Sequence, residues 1–312
     1  MNYLLKILPL AVRAGIPILL GTVGEILTEK AGNLNLGVEG MMLMGAFGGF
    51  QIAVISKNPV LALLAAFIMG GFGALIYTFL TVTLKANQVV TGLSLTIFGT
   101  GLASFFGNSL NSGKVAIPAE VTKYFGSIQF PFLTKIPYAG TILFNYDIFV
   151  YLAVLLAVGM HFYLKHTKTG LNLRAVGEDP ASADAAGINI TLYKYANICL
   201  GGALCGLGGA YLSIVYIPSW TDNFVSGRGW IAVALVIFAS WSPLRAIFGS
   251  VLFGGLSIIG TKLQTSLHIS PYFLDLLPFL VTLLVLIFTS IKTSRERQQP
   301  KGCGNNYFRE ER

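Results

Sequence analysis

The chain has 312 residues, of which 54% are hydrophobic and 11% are charged, and its formal net charge is +8. With a mean hydropathy of +0.71, this composition excludes a soluble globular protein and indicates a chain that lies mostly in lipid. The basic residues are spread over short connections and the C-terminal tail, which indicates membrane orientation rather than nucleic-acid binding. We therefore predict an all-α, polytopic transmembrane helical bundle.

Uncharged runs of sequence predict the membrane-spanning helices, because a span needs roughly 17 to 25 residues to cross the hydrocarbon layer. The runs predict about nine crossings, with eight or ten as alternatives, in a single transmembrane domain formed by residues 1–312. The run 229–244 is marginal in length, so a broken or partial crossing is equally consistent with it. The predicted spans are 10–28, 40–56, 58–84, 86–113, 148–164, 195–221, 229–244, 246–261 and 276–291.

The distribution of basic residues predicts the orientation, because Lys and Arg near span ends favour the cytoplasmic side. With the segment 165–194 and the basic tail 292–312 placed inside, thirteen basic residues lie inside and eight outside, and the N-terminus lies outside. No small-residue cleavage pattern follows the N-terminal residues, so we expect them to be retained. An apolar face opposed to two basic side chains predicts an interfacial helix before the first span; the face is formed by Leu4, Leu5, Leu8 and Val12.

Residues 32–40 interrupt the first long apolar region with three glycines, two amides and a carboxylate. Because lipid cannot hydrogen-bond to the backbone, such a segment must be buried in protein or line a water-filled path, unless it is an ordinary polar loop. An acid in the preceding apolar stretch is expected to pair with Lys30 or, as the weaker alternative, to contact a solute. The candidate path residues here are Glu25, Asn33, Asn35, Gly37 and Glu39.

Polar residues also open the fourth predicted span. Asn87 and Gln88 begin it, and on a helix Asn87, Thr91, Ser94 and Phe98 share one face. Amides, hydroxyls and an aromatic ring suit an uncharged solute such as a nucleoside or a sugar. Hydrogen bonding between helices explains the same residues equally well. The glycines of 201–209 and 249–260 indicate close helix packing.

Residues 165–194 form the one long polar insert in the apolar chain. Within it Asp179 can cap a helix, Pro180 suits the first helical position, and Gly187 can end a helix formed by 181–186. A helix of two turns is not stable alone, so the flanking spans or a docking partner must hold it. The alternative is a solvated loop between spans.

Three blocks of sequence together resemble permeases of ABC importers for simple sugars and nucleosides. They are Glu29–Met42, the insert with the Gly201–Gly209 stretch that follows it, and Gly227–Phe238; the first favours the nucleoside branch. The resemblance implies that the insert is a cytoplasmic coupling loop, on which a separate ATPase acts. The implied coupling residues are Arg174, Gly177, Glu178, Asp179, Pro180, Asp184, Ala185 and Gly187.

The resemblance also implies a location in the cytoplasmic (inner) membrane and three partners. These are an ABC ATPase subunit, a second, related but non-identical permease, and an extracytoplasmic substrate-binding protein. The segment 107–147 is then either a spacer or a landing surface for the binding protein.

The sequence contains no glycine-rich run ending in Gly-Lys-Ser/Thr, so we expect no ATP hydrolysis by this chain and no cofactor. Its three cysteines and three histidines lack metal-ligand spacing. The alternative function is a secondary transporter of a small polar solute driven by an ion gradient, for which Glu25 is the only acid deep enough to couple.

Overall fold

A computed structural model describes residues 2–108, 115–129, 144–267, 273–274, 276–290 and 298–308. Two π-helical turns, Phe79–Thr83 and Tyr211–Tyr216, extend the helices that end at Thr78 and Ala210. The elements in chain order are α1 (Asn2–Lys30), α2 (Val38–Ser56), α3 (Pro59–Thr78), α4 (Gln88–Gly107), α5 (Ala119–Tyr124), β1 (Ser127–Gln129), β2 (Asn145–Asp147), α6 (Ile148–His166), α7 (Lys168–Glu178), α8 (Pro180–Ala185), α9 (Ile190–Ala210), α10 (Arg228–Phe238), α11 (Pro243–Leu267) and α12 (Leu277–Ser290).

Seven helices of the described residues are long and apolar enough to cross a membrane. They are α1, α2, α3 with its π turn, α4, α6, α9 with its π turn, and α11. Helix α10 has 11 residues, so the run 229–244 is a partial crossing. Helix α12 has 14 residues and lies in the last predicted run. The all-α class is confirmed, and the count of about nine is an approximate match.

The prediction of a separate interfacial helix at the N-terminus is wrong. Helix α1 continues without a break from Asn2 to Lys30, with Pro9 and Pro17 inside it. Ile7 and Ala11 are buried, as is every residue from Ala14 to Glu29, because the helix packs against α9, α10 and α11. A Cβ placed on Gly254 of α11 would lie 2.3 Å from the Ala11 carbonyl oxygen.

Helix α9 is the centre of the bundle and packs against α1, α2 and α3. In the most apolar 18-residue stretch of α9, 83% is buried, compared with 28% in the corresponding stretch of α4. Glycines permit this contact, as a Cβ on Gly201 would lie 2.5 Å from the Gly24 carbonyl oxygen and one on Gly206 would lie 2.4 Å from that of Ala66. The predicted close packing at 201–209 is confirmed.

The connections separate into two ends of the bundle. At one end, Gly107 of α4 contacts Trp220, and Ala116 pairs with Ser219; the short hairpin of β1 and β2 also belongs to the segment that follows α4. At the other end lie the loop 31–37, the insert 165–194 and the tail residues 298–308. The insert and tail therefore share one end, as predicted. Within the segment 107–147, residues 109–114 and 130–143 lie outside the described residues.

Candidate functional site

Residues 31–37 form a buried irregular loop between α1 and α2. Side chains from α3 and α4 form hydrogen bonds with its backbone groups. The Leu34 N–H donates to Gln88 Oε1 at 2.8 Å, and the Tyr77 hydroxyl donates to the Leu34 carbonyl at 2.6 Å. Thr96 Oγ1 donates to the Leu36 carbonyl at 2.9 Å. Such partners are needed because a buried backbone group without a hydrogen bond is costly. The loop is therefore buried in protein, one of the two placements predicted for it.

Glu25 is fully buried, and it stabilises this loop rather than pairing with Lys30. Its Oε1 accepts a hydrogen bond from the Asn35 N–H at 3.0 Å. The predicted pair with Lys30 is wrong, because residues five apart point about 140° away from each other on a helix. The acids near Lys30 are instead Glu29 and Glu178.

The two asparagines of the loop bond within the protein. Asn33 Nδ2 donates to Thr81 Oγ1 at 3.3 Å, and Asn35 Oδ1 accepts from the Gly37 N–H at 2.8 Å. In the described part of the chain, Asn33 Oδ1 and Glu25 Oε2 are buried acceptors with no hydrogen-bond partner. The geometry thus gives most of these polar atoms a packing role and leaves two acceptors open.

Glu39 joins the starts of two helices that are far apart in sequence. It lies in the first turn of α2, is 5% exposed, and accepts from the Gly227 N–H at 2.7 Å and the Gly229 N–H at 2.6 Å. These amides belong to the N-terminus of α10, where a carboxylate is favoured by the unpaired N–H groups and the helix dipole. Glu39 therefore fixes the position of the short helix.

The turn after α10 is tied to the end of α1. Trp241 Nε1 donates to Glu29 Oε2 at 2.5 Å. Ser240 and Trp241 both have positive φ, 47° and 54°, a conformation that costs energy for residues with a Cβ and must be held by contacts around it. The sequence analysis predicted no contact for either end of α10, because the contacting residues are 188 and 212 positions apart in sequence.

The predicted polar stripe on α4 is divided between two environments. Asn87 is the N-cap, with its Oδ1 accepting from the Val90 N–H at 3.0 Å, and Thr91 is buried and bonds back to the Asn87 carbonyl at 2.7 Å. Ser94 is exposed, as is Phe98 at 49%. The Thr91 side chain of the stripe is therefore buried in the bundle, whereas the Ser94 and Phe98 side chains are on its surface.

The helix predicted in the insert is present as α8, Pro180–Ala185. Asp179 Oδ1 accepts from the Ala181 and Ser182 N–H groups at 3.1 and 3.2 Å, and Gly187 ends the helix with a φ of +80°. Hydrogen bonds from the Ser182 side chain and backbone hold the pKa of Asp179 below its usual value. The predicted caps are confirmed, and the last helical residue, Ala185, is exposed together with Ala186 and Gly187.

A second helix of the insert, α7, is absent from the sequence-based prediction. Thr167 caps it, with Oγ1 accepting from the Gly170 N–H at 3.0 Å, a local signal that sequence inspection could have found. It carries Arg174, whose Nε is buried without a hydrogen-bond partner in the described part of the structure. Gly177 lies in its last turn, where a Cβ would be 2.3 Å from the Lys30 carbonyl oxygen. The insert therefore touches the end of α1 through glycine.

The tail folds back onto both the insert and the start of α4. The Gly302 N–H donates to the Gly177 carbonyl at 2.9 Å, and the Tyr307 hydroxyl donates to Asp184 Oδ2 at 2.9 Å. The side chain of Gln88, 3% exposed, donates to the tail at the Asn305 carbonyl at 3.3 Å. The sequence-based prediction of a basic cytoplasmic tail did not include these contacts.

Glu178 and Cys303 complete this junction. Glu178 is exposed, and its Oε2 accepts from the Lys301 N–H at 3.3 Å. Burial raises the pKa of the Cys303 thiol, so little of it is thiolate at neutral pH. The residues predicted for coupling therefore lie at one junction formed by α7, α8, the end of α1 and the tail.

Comparison with known proteins gives matches over nearly the whole chain. The family model described as "Branched-chain amino acid transport system / permease component" matches residues 7–286. TsgC13 of Haloferax volcanii, a permease protein named for glucose, is 35% identical over 99% of this chain and 99% of its own length. The guanosine ABC transporter permease protein NupQ of Bacillus subtilis is 32% identical over 90% of each chain. The nucleoside ABC transporter permease protein NupC of Lactococcus lactis is 30% identical, over 94% and 93%.

The same three organisms each contribute a second match of lower identity. TsgB13 is 27% identical, NupB 24% and NupP 23%, and all three are named as ABC transporter permease proteins. The relatives thus occur as pairs of permease subunits, and this chain is more similar to one member of each pair.

Proposed function

The chain belongs to the branched-chain amino acid transport system permease family, and from that membership we propose that it is the transmembrane subunit of an ATP-driven ABC importer for nucleosides. The observation that carries the proposal is the helix α8, which has a cap at each end and exposed residues at 185–187. A short helix of this kind is stabilised by its caps and by the elements behind it. It thus offers a surface on which an ATPase subunit can act, and the permease itself is not an enzyme.

Movement of α8 has a direct route to the bundle. Asp179 joins α7 and α8 without an intervening loop, and Gly177 at the end of α7 contacts the Lys30 carbonyl and Gly32. Backbone in contact with backbone leaves no flexible side chain to absorb a displacement. A force on α8 therefore reaches the end of α1 and the loop 31–37 that follows it.

A second permease subunit is proposed to face α4. Four small or polar residues at seven-residue spacing are exposed on this helix, namely Asn87, Ser94, Gly101 and Asn108. Polar groups facing lipid are unfavourable, so such a stripe suits a partner helix or a water-filled path between two permeases. The pairs of relatives support a heterodimer, in which this chain takes the place of the NupC or NupQ member.

The relatives also support the proposed substrate. Two of those reported are named for nucleosides or guanosine and one for glucose, so a hydroxyl-bearing, uncharged solute is the shared chemistry. The exposed Ser94 and Phe98 offer a hydroxyl and an aromatic face to such a solute. One oxygen of Glu25 and both oxygens of Glu39 accept backbone N–H groups, which disfavours the alternative of a transporter driven by an ion gradient.

Uptake measurements test substrate and energy source together. Cells that lack this chain are compared with complemented cells for uptake of labelled guanosine and glucose, with ATP depleted and ion gradients clamped. We expect guanosine uptake to depend on the chain and to fall with ATP. Glucose uptake without guanosine uptake would move the substrate to sugars, and uptake that follows the gradient would contradict the ABC assignment.

Two substitutions on the insert test coupling. Gly187→Val places a β-branched residue at a φ of +80°, which costs about 1–2 kcal/mol, and Ala185→Arg adds bulk to the exposed surface. Both should reduce uptake several-fold at unchanged protein level and weaken co-purification of the ATPase subunit. Gly159→Val on α6, where a Cβ meets nothing within 4 Å, is the control. Normal uptake by both insert variants would remove the coupling role.

A further inference from the structure

A polar pocket of about 590 Å³ lies between the insert, the turn from α3 to α4, and the tail. The turn contributes Thr81 and Lys85, α9 contributes Asn189, Thr191 and Lys194, and the remaining walls include Asp184, Asn306 and Tyr307. The chain joining these elements places the pocket at the same end of the bundle as the coupling helix. None of the transport residues discussed above for the α4 stripe lines it.

Lys194 is the central feature of this pocket. It lies in the first two turns of α9 and is 4% exposed, and in the described part of the chain its ammonium group has neither a hydrogen bond nor an ion pair. A buried charge without a partner is costly, so such groups are usually paired or hold a ligand. The ammonium group of Lys194 therefore lines the pocket and is available to bind an anion there.

A second lysine adds to the positive charge of the pocket. Lys85 lines the same pocket, close enough to Lys194 for the two ammonium groups to repel each other. Burial lowers the pKa of Lys85. Asp184 is the acid on the pocket wall, and its Oδ2 already accepts from the Tyr307 hydroxyl.

The start of α9 adds a third source of positive potential. Asn189 is the N-cap of this 21-residue helix, and its Oδ1 takes up one first-turn amide, that of Leu192, at 3.0 Å. The amides of a first helical turn lack intrahelical partners and favour anions, phosphate above all. Asn189, Ile190 and Thr191 all line the pocket.

We propose that this pocket binds a phosphate group attached to a small polar body, with the phosphate between Lys85, Lys194 and the first turn of α9. The volume exceeds what inorganic phosphate needs, and the Thr191 hydroxyl and the Asn189 side-chain NH₂ on the pocket wall suit a hydroxyl-bearing body. Such a phosphate is carried by a soluble ester, such as a nucleoside 5′-monophosphate, or by an anionic lipid headgroup at the cytoplasmic surface.

The site also has a regulatory consequence, which rests on the proposed function. A ligand here contacts α8 through Asp184 and Gly187 and the turn after α3 through Lys85. It would hold the coupling helix against the bundle and slow the movement that drives import. Import would then decrease as the phosphorylated compound accumulates inside.

Binding is tested on the full chain in nanodiscs of neutral lipid by following its thermal unfolding. Since a ligand that binds only the folded state raises Tm, a nucleoside 5′-monophosphate should raise it and the unphosphorylated nucleoside should not. Lys194→Gln and Lys85→Gln should each weaken binding roughly tenfold or more. Lys57→Gln removes an exposed lysine at the opposite end and should bind as the original does.

Further measurements decide which molecule carries the phosphate and whether its binding regulates import. A Tm rise caused by phosphatidylglycerol in the nanodisc and abolished by Lys194→Gln supports the phosphate site and assigns it to lipid. Equal effects of nucleoside and monophosphate, or unchanged affinity in both lysine variants, would overturn the proposal. Uptake by the complete importer should fall several-fold with internal monophosphate, and Lys85→Gln should relieve this. No uptake under any condition would count against the proposed function alone, because binding is measured on the isolated chain.

Discussion

Replacement of Glu39 by glutamine tests whether this carboxylate positions the short helix α10. The side chain accepts two backbone N–H groups at 2.7 and 2.6 Å, and a hydrogen bond to a charged group contributes about 1.5–3 kcal/mol. Glutamine keeps one acceptor oxygen and turns an NH₂ donor toward the second N–H. We therefore expect Glu39→Gln to lower the free energy of unfolding by about 2–4 kcal/mol.

Thermal unfolding of the purified chain in detergent measures this loss. A change of that size should lower Tm by at least about 4 °C for a chain of this length. Uptake per folded protein should fall as well, because α10 continues into the turn that Trp241 fixes to Glu29. The two readouts separate a loss of folded protein from a displaced helix.

Glu120→Gln is the matched control, since Glu120 is an exposed glutamate at the other end of the bundle. It should leave Tm and uptake unchanged. A Tm for Glu39→Gln within about 1 °C of the original would refute the reasoning, since it would mean that water or another group satisfies the two amides equally well.

Three further outcomes follow from the contacts of the junction. Gly177→Ala, whose Cβ would meet the Lys30 carbonyl at 2.3 Å, should reduce uptake several-fold, and Gly159→Ala should not; equal uptake by both would exclude transmission through this contact. Tyr77→Phe leaves the Leu34 carbonyl without its donor and should lower the free energy of unfolding by about 1–3 kcal/mol, measured by thermal unfolding; no change would show that the loop does not need this bond. Asn306→Ala should detach the tail, lower the raised pKa of Cys303 toward its ordinary value and speed maleimide labelling at pH 8, measured with the other two cysteines replaced by alanine; slow labelling in both forms would mean that other contacts hold the tail.

Features that depend on neighbouring residues were predictable from sequence. The caps of α8 were found because Asp179, Pro180 and Gly187 act within one helical turn. The spans were found because a hydrocarbon layer imposes a length on every uncharged run. The marginal length of the run 229–244 predicted a broken or partial crossing, and the structure has the 11-residue helix α10 there.

Features that depend on distant residues were decided only by the tertiary structure. Glu39 and Gly227 are 188 positions apart in sequence, and Gln88 and Asn305 are 217 apart, so no local pattern marks these pairs. Glu25 was assigned a partner on its own helix, yet its carboxylate accepts from the Asn35 amide. The hydrophobic runs and the local capping residues therefore determined a membrane bundle with a short capped helix in its polar insert. The hydrogen-bond partners of the buried polar groups were decided by packing, because a buried donor or acceptor bonds to the group that the folded chain brings within reach.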